Sequence, residues 1–347
     1  MIKLLLEEPT VGDSSQILIR SKLRAVSQRM GFSHVVREQM ELVCAEMITN
    51  QNKYAGGSGL FQLWETVEPE PALELFAMDF GPGVVDLEQV LEDGFTTAGT
   101  MGKGLGAIRR LAHRYGFYSI PHGSRINGAW HGFAVWARFY RDAVPRAGAY
   151  EIGVYERAYQ DVPNSGDCLC LRTDTAKVRW LHMDALGHGQ HAARVIERAE
   201  RFLDDAPVKQ VLERISLRLQ GTRGAVGVVA ELDLLAGTID LCGVGDMRAV
   251  LLAAGEKKVV NFAPGVLGHA HRSFDVLNLP VSGGALLLTA SDGIRQTWDI
   301  GSFPGLWRLH PQMVALLLGN IVGRTSDDKS IFAIRAAGEK VGESHEY

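Results

Sequence analysis

The sequence predicts an α+β chain of two domains, and three observations carry that reading. The chain has 347 residues, more than one hydrophobic core ordinarily serves. Its first half opens on two stretches of helical periodicity, whereas its second half is mostly short alternating strands. Between them, Arg141 to Gly148 is short and polar and contains Pro145. The boundary is placed there, with domains over 1–142 and 149–340.

In the first half, Ser14 to Met30 places Ile17, Leu18, Leu23, Val26 and Met30 on one stripe, as an amphipathic helix does. Ser33 is a helix N-cap, and the helix it starts runs to about Tyr54, where Gly56 and Gly57 end it. Glu46 and Asn50 lie four apart in that helix and share a face. Leu60 to Val67 and Ala72 to Phe80 read as strands joined by a Pro/Glu turn. The second strand ends in Asp79-Phe80-Gly81-Pro82-Gly83, and Asp86 to Leu91 suits a short helix. A loose stretch with Thr97 leads to Gly102-Lys103-Gly104-Leu105-Gly106, read as a loop, with a helix from about Ala107 to Tyr115 behind it. Glycines ahead of a helix expose backbone N–H groups to a phosphate; the plainer alternative is a flexible turn. Phe117 to Pro121 and His131 to Tyr140 read as closing strands.

In the second half, Tyr150 to Tyr159, Cys168 to Arg172 and Val178 to Met183 read as strands. The third runs into Asp184-Ala185-Leu186-Gly187-His188-Gly189. Helices follow over Gln190 to Phe202 and Ala206 to Leu219, then strands over 225–232, 238–243, 248–253, 258–262, 273–279 and 285–289. A last helix, Pro311 to Val322, precedes a final strand, Ser330 to Ile334. Four carboxylates, Asp167, Asp184, Asp292 and Asp327, thus stand at strand ends beside small or polar residues. Singly, each is as good an N-cap or turn residue. Together they form the oxygen-only donor set that hard divalent cations take, and two cations sharing a carboxylate activate a water for attack on phosphorus.

The bulk numbers narrow the classes. A net charge of -4 gives no reason to expect nucleic acid. Cys44, Cys168, Cys170 and Cys242 show no zinc spacing, and Cys168 and Cys170 are expected on opposite faces of their strand, as reduced thiols of a cytoplasmic protein. His182, His188 and His191 lack zinc-like company and are read as structural or surface residues. The apolar run at Met1 to Leu6 is short for a signal peptide, and those near 284–290 and 313–322 are too short for a bilayer, so no membrane partner is expected.

The order Glu-x-x-x-Asn on a helix, Asp-x-Gly-Pro-Gly after a strand and then Gly-x-Gly-x-Gly resembles the GHKL (Bergerat) ATP-binding fold, and within it the RsbT/RsbW-type switch kinases and anti-sigma factors. The resemblance spans about Ser14 to Tyr140. It implies an α/β sandwich in which Asn50 holds the Mg²⁺ of bound ATP and Glu46 takes the proton of an attacking serine hydroxyl. Asp79 would meet the adenine amino group, with Gly81 and Gly83 admitting the base. Gly102, Gly104 and Gly106 would cover the phosphates, with Thr97 and Lys103 near. A carboxylate base one turn from a metal-binding amide suits phosphoryl transfer to a hydroxyl in its own right.

The carboxylate set from Tyr150 to Ala336 resembles the SpoIIE/RsbX branch of PPM phosphatases, which implies an α-β-β-α sandwich holding two Mn²⁺ or Mg²⁺ ions. On that resemblance Asp184 bridges both ions and the carbonyl of Ala185 binds one. Asp292 and Asp327 bind the other, and Asp167 acts through water. Ala185 stands where that family has glycine, and Asp246 where it commonly has asparagine. The combined resemblance implies a phosphoserine/phosphothreonine phosphatase with a kinase-like ATP-binding half. It further implies a STAS-domain antagonist as substrate, in a partner-switching or stressosome pathway with a sigma-factor regulator, and it allows a homodimer. Two alternatives stand: an ATP-sensing first half without transfer, and a non-enzymatic antagonist-binding scaffold.

Overall fold

The computed structural model describes residues 2–91, 101–123, 130–145, 148–159, 165–187, 189–199, 202–253, 256–271, 273–281 and 283–336. Thr97, His188 and the Asp93 to Phe95 segment lie outside the described residues, as do the side chains of Lys103 and His191. The chain divides into two compact units, Met1–Arg146 with Gly301–Phe303, and Ala147–Ile300 with Pro304–Tyr347.

The first unit is one antiparallel sheet with helices on a face. Strands β1 (Ile2–Pro9), β2 (Gly59–Thr66), β3 (Ala72–Asp79), β4 (Arg114–Ile120) and β5 (Gly132–Tyr140) lie in the order β1-β2-β3-β5-β4. Helix α1 (Asp13–Arg29) buries Leu23 and Val26 of the expected stripe, but Ile17 and Leu18 are exposed and Ile19 takes their place in the core. With Met40, Val43 and Met47 of α2 (His34–Tyr54), these residues pack against Phe61, Leu63, Leu75 and Val135. Ser33 caps α2 by accepting from the Val36 amide at 3.3 Å. A short α3 (Leu87–Leu91) and α4 (Met101–Leu111) follow. Because strand residues alternate faces, Trp64, Glu74, Trp136 and Arg138 share the sheet's other side. There buried Glu74 accepts from Thr66 Oγ1 at 2.7 Å, Trp136 Nε1 at 2.7 Å and Arg138 Nη2 at 2.8 Å.

Two expectations fail here. The glycine-rich stretch 102–106 is helical and not a loop, and Arg114 and Tyr115 open strand β4 (Arg114–Ile120) and do not end a helix. The apolar spacing decides the first. Leu105 and Ile108, three apart, are both buried in the core beside α2, and that burial outweighs glycine's cost of roughly 1 kcal/mol per helical position. Strand β1 was not anticipated; its seven-residue ladder to β2 is bulged between Leu4 and Leu6.

The second unit is a sandwich of two antiparallel sheets between helices. One sheet comprises β7 (Asp167–Thr173), β8 (Lys177–Ala185), β9 (Ala225–Asp233), β10 (Thr238–Val244) and β13 (Val276–Pro280), in the order β13-β10-β9-β8-β7. The other comprises β6 (Tyr150–Arg157), β11 (Arg248–Ala253), β12 (Glu256–Asn261), β14 (Leu286–Ala290) and β15 (Lys329–Ala336), in the order β12-β11-β14-β15-β6. Between the sheets, Val178, Trp180 and Val228 meet Ala249, Leu287, Phe332 and Ile334. Outside the first sheet, α5 (Gln190–Ala199) and α6 (Val208–Arg218) cover Leu181, Met183 and Val229. Helix α7 (Pro311–Ile321) packs on β6 and β15, where Gly153 admits its first turn. Cys168 and Cys170 do not diverge: their sulfurs lie 3.5 Å apart. Residues two apart on a strand point to the same face, so the expectation of opposite faces was wrong.

Candidate functional site

The first unit holds a cavity of about 120 Å³ between α2 and the sheet, lined by Met47, Asn50, Tyr54, Asp79, Val84 and Phe133 among others. Its walls are mostly apolar, with a few polar groups, the ordinary make-up of a small-molecule site. Asp79 ends β3, where Oδ1 accepts from the amides of Gly81 at 2.9 Å and Phe133 at 3.1 Å. Both donors go to Oδ1, which leaves Oδ2 as an acceptor. Burial pushes the Asp79 carboxyl above its ordinary range, against the two amide bonds. Gly81 is forced by space, because a Cβ there would lie 2.9 Å from the Ala55 Cα. Gly83 has φ 68 and would drive a Cβ into the Ile120 carbonyl.

Glu46 and Asn50 sit one turn apart on α2, as their spacing requires, and Gly104 of α4 faces both. A Cβ on Gly104 would collide with the Glu46 carboxylate and would stand 3.6 Å from Asn50 Nδ2. The structure therefore brings Glu46, Asn50 and Gly104 together, with Asp79 on the same cavity as Asn50. Gly102 and Gly106 lie in α4.

In the second unit, ladder pairing places Asp167 opposite Asp184. Asp184 is held far above the usual carboxylate range by burial first, and then by the charges of Asp167, Asp292, Asp327 and Asp246. Asp167, Asp292 and Asp327 are therefore all within electrostatic reach of Asp184, and so is Asp246. Asp167 is also raised, by burial and by Asp328 and Asp327, against two hydroxyl bonds that lower it. Those bonds are Ser291 Oγ at 2.7 Å and Ser330 Oγ at 2.6 Å, both donating to Oδ2. Asp167 Oδ1 is buried with no hydrogen-bond partner among the described residues.

Behind Asp167 runs a directional chain. Ser330 spends its one proton on Asp167, so it accepts from His182 Nε2 at 2.7 Å. His182 Nδ1 then accepts from Thr289 Oγ1 at 2.9 Å, and Thr289 accepts from Trp180 Nε1 at 3.3 Å. This neutral form matches the buried ring, whose pKa falls to about 3 by desolvation. Asp328 ties the adjoining loops, its oxygens accepting from the Tyr159 amide at 2.6 Å and the Gly166 amide at 2.8 Å. Ser291, Ser330, Thr289 and Asp328 were missed in the sequence. Ser291 and Asp328 each adjoin a singled-out Asp, a signal that could have found them. The register that aims Ser330 and Thr289 inward is a tertiary fact.

Among the described residues, no group of three or more His, Cys, Asp or Glu side chains is arranged to hold a metal ion as it stands. The donor set nevertheless fits hard divalent cations. Its oxygens are carboxylates, one is buried and orphaned, and their mutual repulsion is what a cation would relieve. The Ala185 amide donates to the Gly166 carbonyl at 2.9 Å, which leaves its own carbonyl within the same strand end.

No family model matches the chain. Over 99 residues it is 32% identical to the serine/threonine-protein kinase RsbT of Bacillus subtilis (strain 168), covering 28% of this chain and 73% of that protein. A structure of RsbX in complex with magnesium superposes with a TM-score of 0.50 at 17% identity, covering 56% of this chain and 98% of that one. A structure of the PP2C phosphatase domain and a fragment of the regulatory domain of SpoIIE from Bacillus subtilis covers 94% of this chain and 96% of its own, at 15% identity and a TM-score of 0.48. The chain thus belongs to the RsbT family of serine/threonine-protein kinases, and it joins that GHKL-type module to a PPM-type phosphatase fold in one polypeptide.

Proposed function

We propose that the second unit is a divalent-cation-dependent phosphoserine/phosphothreonine protein phosphatase, and that the first binds ATP with Mg²⁺ as a kinase-type site. The observation that carries the phosphatase reading is the carboxylate cluster around Asp184, with the orphaned Oδ1 of Asp167 in it. Asp184, the Ala185 carbonyl, Asp292 and Asp327 would hold two Mn²⁺ or Mg²⁺ ions, with Asp167 next to them. Bound ions would supply Lewis acidity toward a phosphate ester and toward water. The protein's part is to fix the carboxylates. Asp167 is clamped by two serine hydroxyls, and those are in turn oriented by His182, Thr289 and the Ser330 amide, which donates to Ser291 Oγ at 3.1 Å.

In the first unit, Asn50 would hold Mg²⁺ on the nucleotide phosphates and Glu46 would accept the hydroxyl proton. Asp79 would accept from the adenine amino group at the floor of the cavity. The substrate of both units would be a STAS-domain protein in a partner-switching pathway, a reading supported by the RsbT likeness. Asp184→Asn and Asp292→Asn should abolish Mn²⁺-dependent release of phosphate from a phosphoserine protein. Full release by both variants ends the enzyme reading. For the first unit, labelled ATP with a STAS-domain protein should give transfer that Glu46→Gln removes while nucleotide still binds. One observation favours a second reading, ATP binding without transfer: Gly104 of α4 lies directly against Glu46. Nucleotide binding with no transfer by the unaltered chain would select it.

A further inference from the structure

Beside the carboxylate cluster lies a small depression of opposite sign. Arg248, Lys257, Arg295, Trp298 and Ser291 are among its lining residues, and among the described residues no carboxylate lines it. Ser291 belongs to both places, because its hydroxyl clamps Asp167 while the residue walls the depression. Lys257 is held in position: its ammonium stands 3.7 Å from the Trp298 ring centroid and donates to the Trp298 carbonyl. Asp299 is the acid near Lys257, and it lies outside the lining. Arg248 starts β11 opposite Ala290 of β14, so its position is fixed by the sheet. Arg295 is exposed, three residues beyond Asp292.

Three cations around one hollow repel one another unless an anion joins them. The space is about 20 Å³, roughly what one water-sized group occupies. A nucleotide does not fit, but the end of an acidic side chain does. We propose that this depression is a recognition subsite for a carboxylate of the phosphoprotein substrate, flanking its phosphorylated residue. The proposal rests on the phosphatase reading for its substrate and on the depression alone for its chemistry. Charge-assisted hydrogen bonds from two guanidinium groups would give an acidic flank its preference.

Fluorescence anisotropy on the full chain tests it, with a labelled serine phosphopeptide flanked by glutamates and the same peptide flanked by glutamines. The glutamate peptide should bind about five- to tenfold tighter. That preference should collapse in Arg295→Ala and in Arg248→Ala, and survive in Arg295→Lys. Thermal unfolding of each variant shows that it folds. Equal binding of the two peptides by the unaltered chain overturns the subsite, as does a preference that outlives both alanine variants. Mn²⁺-dependent phosphate release from the same peptides separates the two claims. Arginine-dependent preference without any release keeps the subsite and removes the phosphatase reading. Release without preference does the reverse.

Discussion

Asp184 shows at the residue scale how a site can oppose its own fold. Its carboxyl is buried among Asp167, Asp292, Asp327 and Asp246, so ionising it costs energy in the native state that the unfolded chain does not spend. An acid with a raised folded pKa binds protons in the native state that the unfolded state has released. The metal-free protein therefore loses stability as pH climbs from the ordinary carboxylate range toward that raised value. Asp184→Asn should remove this loss and stabilise the metal-free chain at pH 8 by roughly 1–2 kcal/mol. Phosphate release should fall on the order of a hundredfold or more. Denaturant unfolding and a phosphate assay on one preparation check both. His182 works with the opposite sign. Its folded pKa is depressed to about 3, so below pH 6.5 the unfolded chain takes up a proton that the native ring refuses. Between pH 6.5 and 5 this should cost roughly 2 kcal/mol. The acid limb of the stability curve should be shallower by that amount in His182→Gln.

At the scale of elements, α4 is where local chemistry and packing disagree. Its glycines argue for a loop, and its Leu105 and Ile108 argue for a helix face; the face prevails because both side chains reach the core beside α2. Gly104 is kept small by its neighbour and not by its backbone angles, since a Cβ would strike Glu46. Gly104→Ala should therefore raise intrinsic helix propensity by about 1 kcal/mol yet loosen α4 from α2. Faster hydrogen exchange over 101–111, with weaker nucleotide binding, is the expected result; unchanged exchange would mean that Glu46 moves aside freely. The same scale explains which elements could be read beforehand. α1 and α2 are long runs of helical periodicity, α2 with a serine cap, and β8 and β14 are apolar runs ended by an Asp or a Ser-Asp. β1 hid because its first residues, Ile2 to Leu6, have no polar alternation.

For the whole molecule, each unit should answer to its own ligand. Mn²⁺ at a hundredfold over its dissociation constant should stabilise the second unit by about 2.7 kcal/mol, and Mg-ATP should do the same for the first. Hydrogen exchange is the check: Mn²⁺ should slow β7 and β8 around Asp167 and Asp184, and Mg-ATP should slow α2 around Asn50. Asp184→Asn should erase the first response and keep the second.

The sequence by itself determined the chemistry available. It holds two motif sets in order, carboxylates at strand ends, a Glu and an Asn one turn apart, and a polar join between halves. Those are local facts, set by residue type and spacing, and periodicity exposes them. Tertiary structure alone decided which oxygens of those carboxylates are clamped and which is left bare. Ser330 of β15, His182 of β8, and Thr289 of β14 with Ser291 just past its end come from three strands; the two serine hydroxyls meet Asp167, with His182 and Thr289 behind them, only once sheet register fixes which side chains face inward. It also decided that 102–106 is a helix and that Cys168 and Cys170 touch. Each of those outcomes depends on what lies across the fold, and a linear string holds no record of that distance.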